Sequence, residues 1–165
     1  MTLHLFTVFQ NRIKYSADKQ QEIIMDQFVW KPGFALGITE IDLQHQTLLK
    51  YLNECIRYAS GHDAIVDTHG IINDLKSYAR LHFTAEEALL RKVGYPGSEE
   101  HQQRHRLFEE QVAQMEQAVS NGEKHAVTSL VSFLRDWYMQ HVLVEDKRYA
   151  EYMQAKGYDK NISIW

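Results

Sequence analysis

The sequence is short of the residues that break or cross-link a chain. Two prolines and eight glycines in 165 residues are too few for a many-turned β architecture and favour long uninterrupted helices. A single cysteine, Cys55, excludes an internal disulfide and fits a reducing compartment. No apolar run approaches the roughly 18 residues that a membrane span needs. The apolar stretch at residues 3–9 has no basic residue before it and is too short for a signal-peptide core. Positive charge is not in excess: the formal net charge is -4, which excludes the strongly basic footprint of a nucleic-acid binder. The expectation is a cytoplasmic protein that binds neither nucleic acid nor membrane.

Helical periodicity is what the chain has instead. Asp42 reads as a helix start, followed by the stripe Leu48, Leu49, Leu52, Cys55, Ile56 and Ala59, closed by Gly61. On that stripe Cys55 reads as a small buried hydrophobe. A second helix is expected from about residue 64 to Val93, broken by Gly94-Tyr95-Pro96-Gly97. Ser98 reads as the N-cap of a third helix, with Glu99 and Glu100 complementing its dipole, and that helix stops at Asn121-Gly122. The fourth runs from about Glu123 to His141. Four amphipathic helices with short connections predict an all-α fold, an antiparallel up-down four-helix bundle. An irregular aromatic arm precedes it, with Phe28, Trp30 and Phe34 laid on the core. Residues 1–27 form an N-terminal extension without clear period, and 28–165 form the bundle domain. Met25 stands where a second translation start would fall.

The chemistry lies in the histidines, of which there are nine. Four-residue spacing places two side chains on one helical face, one turn apart. His82 with Glu86, and His101 with His105, both have that spacing. His45 falls near the start of the first helix, and His141 near the end of the fourth with Asp146 beyond it. Antiparallel packing brings all of these to one end of the bundle. A lone histidine is more often a hydrogen-bonded core residue than a ligand. Five buried imidazoles, however, would each need a partner, and metal ions resolve that cost. Five imidazoles and two carboxylates are too many for one tetrahedral zinc. They suit two octahedral-type ions, and such donors are a common iron environment. His4, His62, His69 and His125 fall outside the pattern and are expected at the surface. Glu87 is expected to be solvated or to support a ligand rather than to be one. His141 and Asp146 are five apart, about 140° around a regular helix, so the fourth helix must distort there, as a π-bulge would do.

From Trp30 through Leu36-Gly37-Ile38, Ile41-Asp42, His45, His82-Phe83, Glu86-Glu87, Gly94-Tyr95-Pro96, His101, His105, Trp137, His141, Asp146-Lys147 and Tyr149, the sequence resembles the hemerythrin family. The resemblance covers roughly residues 28–156. It implies a non-haem di-iron centre, oxo- or hydroxo-bridged. His101, His105 and His141 would hold one iron, His45 and His82 the other, and Glu86 and Asp146 would bridge them. The second iron would keep an open position for dioxygen, in a pocket lined by Trp137, Tyr138 and Val142. A histidine-rich set keeps the ferrous state reversible, whereas ferritin-like sites use more carboxylates, so the resemblance leans toward binding rather than catalysis.

Tyr138 departs from the family, which usually has a pocket-lining leucine three residues before His141. Its phenol either meets the bound ligand or sits in the core with its hydroxyl satisfied elsewhere. Glu145, where threonine is usual, is a second departure. The leading expectation is a non-enzymatic protein that binds dioxygen reversibly for storage or delivery, serving an oxygen-requiring enzyme. The alternatives are an oxygen or redox sensor acting through a signalling partner, and a di-iron enzyme acting on peroxide or nitric oxide.

Overall fold

A computed structural model describes residues 27–61, 67–123 and 125–159, together with 162 and 164. The expectations for the N-terminal extension, Met25, His4, His62 and a helix start near residue 64 lie outside the described residues. Helix α1 spans Thr39–Ala59, α2 Thr68–Val93, α3 Ser98–Ser120 and α4 Ala126–Trp137. The fourth rod continues through a π-helical segment, Tyr138–Glu145, into α5, Asp146–Ala155. α1 and α3 each pack against both α2 and α4, which closes the four-helix bundle. Among the described residues there is no strand, and no helix is long and apolar enough to cross a membrane.

The helix starts differ from expectation at three places. The fourth rod begins at Ala126 rather than about Glu123 and continues past His141 to Ala155. α1 begins at Thr39, not Asp42. The Asp42 carboxylate instead reaches back to accept the amides of Leu36 (2.7 Å) and Gly37 (2.9 Å). Gly37 sits at φ 84°, in the left-handed region that glycine tolerates best. Asp42 therefore ties down the turn into α1, which a first-turn acid can do once the chain doubles back over it. At α3 the cap position is Gly97, and Ser98 is already helical with its hydroxyl buried and unpartnered. Glu99 and Glu100 in the first turn complement the positive end of the helix. α2 ends as anticipated on Gly94 at φ 64°, whose amide bonds back to the last turn.

The aromatic arm is strapped to the bundle by polar bonds. Asn53 accepts the Phe28 amide (2.7 Å) and donates to the Phe28 carbonyl (2.8 Å). Pro32–Phe34 forms one 3-10 turn, and Lys147 Nζ donates to the Gly33 carbonyl at 2.8 Å. Between these ties the rings of Phe28 and Phe34 lie on Tyr138, with centroids 6.2 and 5.9 Å away.

Two apolar clusters fill the interior. One includes Leu52, Ile72, Leu75, Phe108 and Leu134; the other includes Ile41, Leu89, Leu90, Tyr149 and Met153. Along α1, α2 and the fourth rod the histidines and carboxylates singled out above lie where one cluster gives way to the other, while α3 sets His101 and His105 ahead of its residues in the first cluster. A polar layer thus lies between two dry ones, shut off from water along the bundle axis.

Candidate metal centre

Each rod contributes to that layer by simple periodicity. His45 lies in the second turn of α1, His82 and Glu86 one turn apart on α2, and His101 and His105 one turn apart on α3. His141 and Asp146 need the π segment. The Asp146 amide donates to the His141 carbonyl, five residues back, so the local turn is wider than an α turn. The wider turn cancels the angular offset and points both side chains inward. All seven residues are buried, none more than 4% exposed.

Their donor atoms converge as two overlapping groups. Ligand atoms of Glu86, His101, His105 and His141 all lie within 4.8 Å of one another, and so do those of His45, His82 and Glu86. Glu86 belongs to both: its Oε2 is 3.1 Å from His101 Nε2, 3.0 Å from His105 Nε2 and 3.8 Å from His82 Nε2. Asp146 spans them as well. Its Oδ2 is 3.2 Å from His45 Nε2, while its Oδ1 is 3.4 Å from His101 Nε2 and 3.3 Å from His141 Nε2.

These contacts are short, yet many are not hydrogen bonds. Both nitrogens of His45, His82 Nε2, Glu86 Oε1 and both oxygens of Asp146 are buried without a hydrogen-bond partner among the described residues. His105 Nε2 and His141 Nε2 face each other at 3.1 Å, which two neutral imidazoles presenting lone pairs would avoid. Orphaned polar atoms of this kind are costly, and atoms that approach closely without hydrogen-bond alignment are aimed at a common point. Five nitrogens and two carboxylates arranged so fit metal ions and are able to hold them.

The protonation states carry the same strain. Burial lowers His45 to about 4, against the pull of Glu86 and Asp42. It lowers His82 to about 3, with Glu86 opposing. His141 is well down through burial, with His101 and His105 adding to it. Asp146 is held well above the carboxylate range by burial and by the charge of Glu86. His105 goes the other way: burial pulls it down, but hydrogen bonds to Glu86 and Glu87 outweigh that and raise it to about 9.

These shifts give a signed expectation for chelator-stripped protein. Unfolded histidines take up protons near pH 6.5, while folded His45, His82 and His141 resist. The unfolded state then binds more protons, so stability falls as pH drops from 6.5 toward 4. Asp146, raised, offsets one of the three. His105 is protonated in both states in that window and adds no slope; its contribution is lost only as pH rises from 6.5 toward 9. The net slope is between about 1 and 3 kcal/mol per pH unit. Urea midpoints at pH 7.5 and 5.5 read it directly, and the midpoint is lower at pH 5.5.

Around this layer stand residues that spacing alone did not single out. His82 Nδ1 pairs with Gln44 Oε1 at 2.8 Å, and His105 Nδ1 with Glu87 Oε1 at 3.0 Å. Each partner fixes a ring orientation and leaves Nε2 to the interior. Phe83 stacks on His105 (3.8 Å, 8°), Trp137 on His141 (4.0 Å, 17°) and Tyr78 on His82 (5.4 Å, 17°). Tyr149 is fully buried, its ring 5.8 Å from that of His101. Of the residues expected to line a ligand pocket, Tyr138 and Val142 are fully buried and Trp137 is half-buried. The Tyr138 hydroxyl is buried without a partner among the described residues. His69 and His125 are exposed, as expected.

Fold and site together define a helical-bundle cation-binding domain. Residues 36–153 match the family described as the Hemerythrin HHE cation binding domain, and the chain belongs to the hemerythrin family. It is 31% identical over 131 residues to a bacteriohemerythrin of Clostridium acetobutylicum, covering 75% of this chain and 99% of that one. A bacteriohemerythrin of Stenotrophomonas maltophilia is 30% identical over 132 residues, 79% of this chain and 84% of its own. A hemerythrin-like protein of Naegleria gruberi is 25% identical over 126 residues, 76% of this chain and 93% of its own.

Proposed function

We propose that the polar layer holds two iron ions and that the protein binds dioxygen reversibly, for storage or delivery, without turning it over. One observation carries the reading. Glu86 and Asp146 each reach nitrogen donors of both groups, as bridging carboxylates must. His101, His105 and His141 complete one site, and His45 and His82 the other, which is therefore one ligand short. When bound, the iron pair supplies the electrons on which reversible oxygen binding draws. The chain's own part is positional. Gln44 and Glu87 orient imidazoles, and the two apolar clusters keep water out. Trp137, Tyr138 and Val142 would line the ligand pocket, with Trp137 stacked on His141. The free, buried Cys55 suits a reducing compartment such as the cytoplasm. Metal analysis of protein purified from iron-supplemented cells tests the assignment: iron at two per chain supports it, and zinc contradicts it. Rapid steady-state consumption of peroxide would replace the binding reading with an enzymatic one.

Tyr138 provides a sharper expectation. A buried phenol donating to the ligand is worth roughly 1.5 kcal/mol, so Tyr138→Leu speeds oxygen release about tenfold by stopped-flow. An unchanged off-rate would place the hydroxyl outside the pocket.

A second reading, oxygen or redox sensing, is favoured by the arm. Its rings rest directly on Tyr138, so an altered Tyr138 would reach the N-terminal segment. Hydrogen exchange over residues 27–36 in oxygenated and deoxygenated protein decides it. Equal protection removes the sensor reading.

A further inference from the structure

Beside the His45 and His82 half, one buried polar group has no role in what precedes. Tyr78 lies one turn before His82 on α2, and its ring stacks on that imidazole at 5.4 Å and 17°. The edge of Tyr51, 6.0 Å away, packs against it. Tyr78 is 7% exposed and its hydroxyl is buried without a partner among the described residues. Its apolar neighbours belong to one cluster with Leu48, Phe83, Tyr138 and Val142. That cluster therefore adjoins the imidazole layer and carries two phenol hydroxyls, Tyr78 and Tyr138, both unsatisfied. A phenol is protonated at neutral pH and can donate. Leaving one such donor bare in an apolar setting is unfavourable, and leaving two in one cluster is more so. The bare nitrogens and carboxylates of the layer are accounted for by metal. The phenols are not, because the histidines and carboxylates already supply the ligand set.

We propose that Tyr78 is a second anchoring residue of the ligand pocket, donating together with Tyr138 to a small hydrogen-bond-accepting anion held at the open position beside His45 and His82. This rests on the di-iron reading above. Two donors from different helices, α2 and the π segment, select for a ligand with acceptor atoms at its far end and favour anions over neutral, non-accepting gases. The stack on His82 fixes the Tyr78 ring, so the donor is preorganised and costs little to order.

The test uses iron-loaded, oxidised full-length protein titrated with azide, followed by absorbance and by the azide stretching band in the infrared. Tyr78→Phe keeps the ring and its stack and deletes only the donor. It is expected to raise the azide dissociation constant about tenfold, equivalent to 1.4 kcal/mol, and to shift the azide stretch, with iron content unchanged. Tyr138→Phe does the same, the double variant loses more than either, and Tyr51→Phe changes neither quantity. Wild-type affinity and an unmoved stretch in iron-replete Tyr78→Phe overturn the anchor; the hydroxyl then serves a permanent buried water. If Tyr78→Phe loses iron, Tyr138→Phe still decides: with that hydroxyl gone, its azide stretch shifts in D2O when the ligand accepts from Tyr78, and an unshifted band overturns the anchor. Failure of wild-type protein to load iron or bind azide overturns the di-iron reading itself, and that outcome is visible before any variant is made.

Discussion

Glu86→Ala is expected to cost the protein both of its metal ions, whereas His82→Ala costs only one. Glu86 is the one residue common to both donor groups, and its Oε2 faces nitrogens contributed by α2 and α3. Without it each site loses a ligand. The lost charge also leaves five neutral nitrogens and one carboxylate, Asp146, to balance two divalent ions in a dry interior. His82 serves one group alone. Its loss leaves His101, His105, His141 and both carboxylates in place for the other ion. Iron per chain, measured on protein purified in parallel, separates the two cases. Equal losses in both variants would mean that the two groups fill as a single unit. Retention of iron in Glu86→Ala would remove Glu86 from the centre.

Stripping the metal is expected to lower the melting temperature by about 10–20 °C. Two sites, each filled at about a hundred times its dissociation constant, stabilise by about 5 kcal/mol together. For a chain of this size each kcal/mol is worth about 2–4 °C. The structural reason is the number of polar groups involved. Seven side chains from four rods meet in one buried layer, and their lone pairs and charges conflict unless cations lie between them. Calorimetry with and without chelator measures the shift. A difference below about 3 °C would mean that the layer is satisfied by protons and water. Glu86→Ala should melt at one temperature whether or not chelator is present, which links the two predictions.

The parts of this arrangement legible in the sequence are those governed by local periodicity. His82 with Glu86 and His101 with His105 share faces because the α-helix repeats every 3.6 residues. The five-residue gap between His141 and Asp146 demanded a wider turn, and the π segment Tyr138–Glu145 supplies it. Gly94 stops α2 for a reason visible in its backbone freedom. What periodicity could not reach were pairings across large sequence separations. Gln44 meets His82 across 38 residues, and nothing local marks it. Glu87 is expected to be solvated or to support a ligand, but which imidazole it reaches, His105 across 18 residues, is not legible. Nothing in the sequence distinguishes Tyr78 from the apolar residues beside it on α2, and only its stack and bare hydroxyl set it apart. Capping misled for a related reason. Ser98 and Asp42 are both good cap residues, but the first is drawn into the helix and the second bonds to the arm that folds back over it.

The most direct test of the central claim is an absorption titration of the anaerobic ferrous protein with oxygen, followed by removal of the oxygen. Reversible binding predicts an oxygen-dependent charge-transfer band that rises on exposure and vanishes under vacuum, over several cycles without loss of amplitude. Immediate conversion to a stable ferric spectrum, with no band that can be reversed, would contradict it.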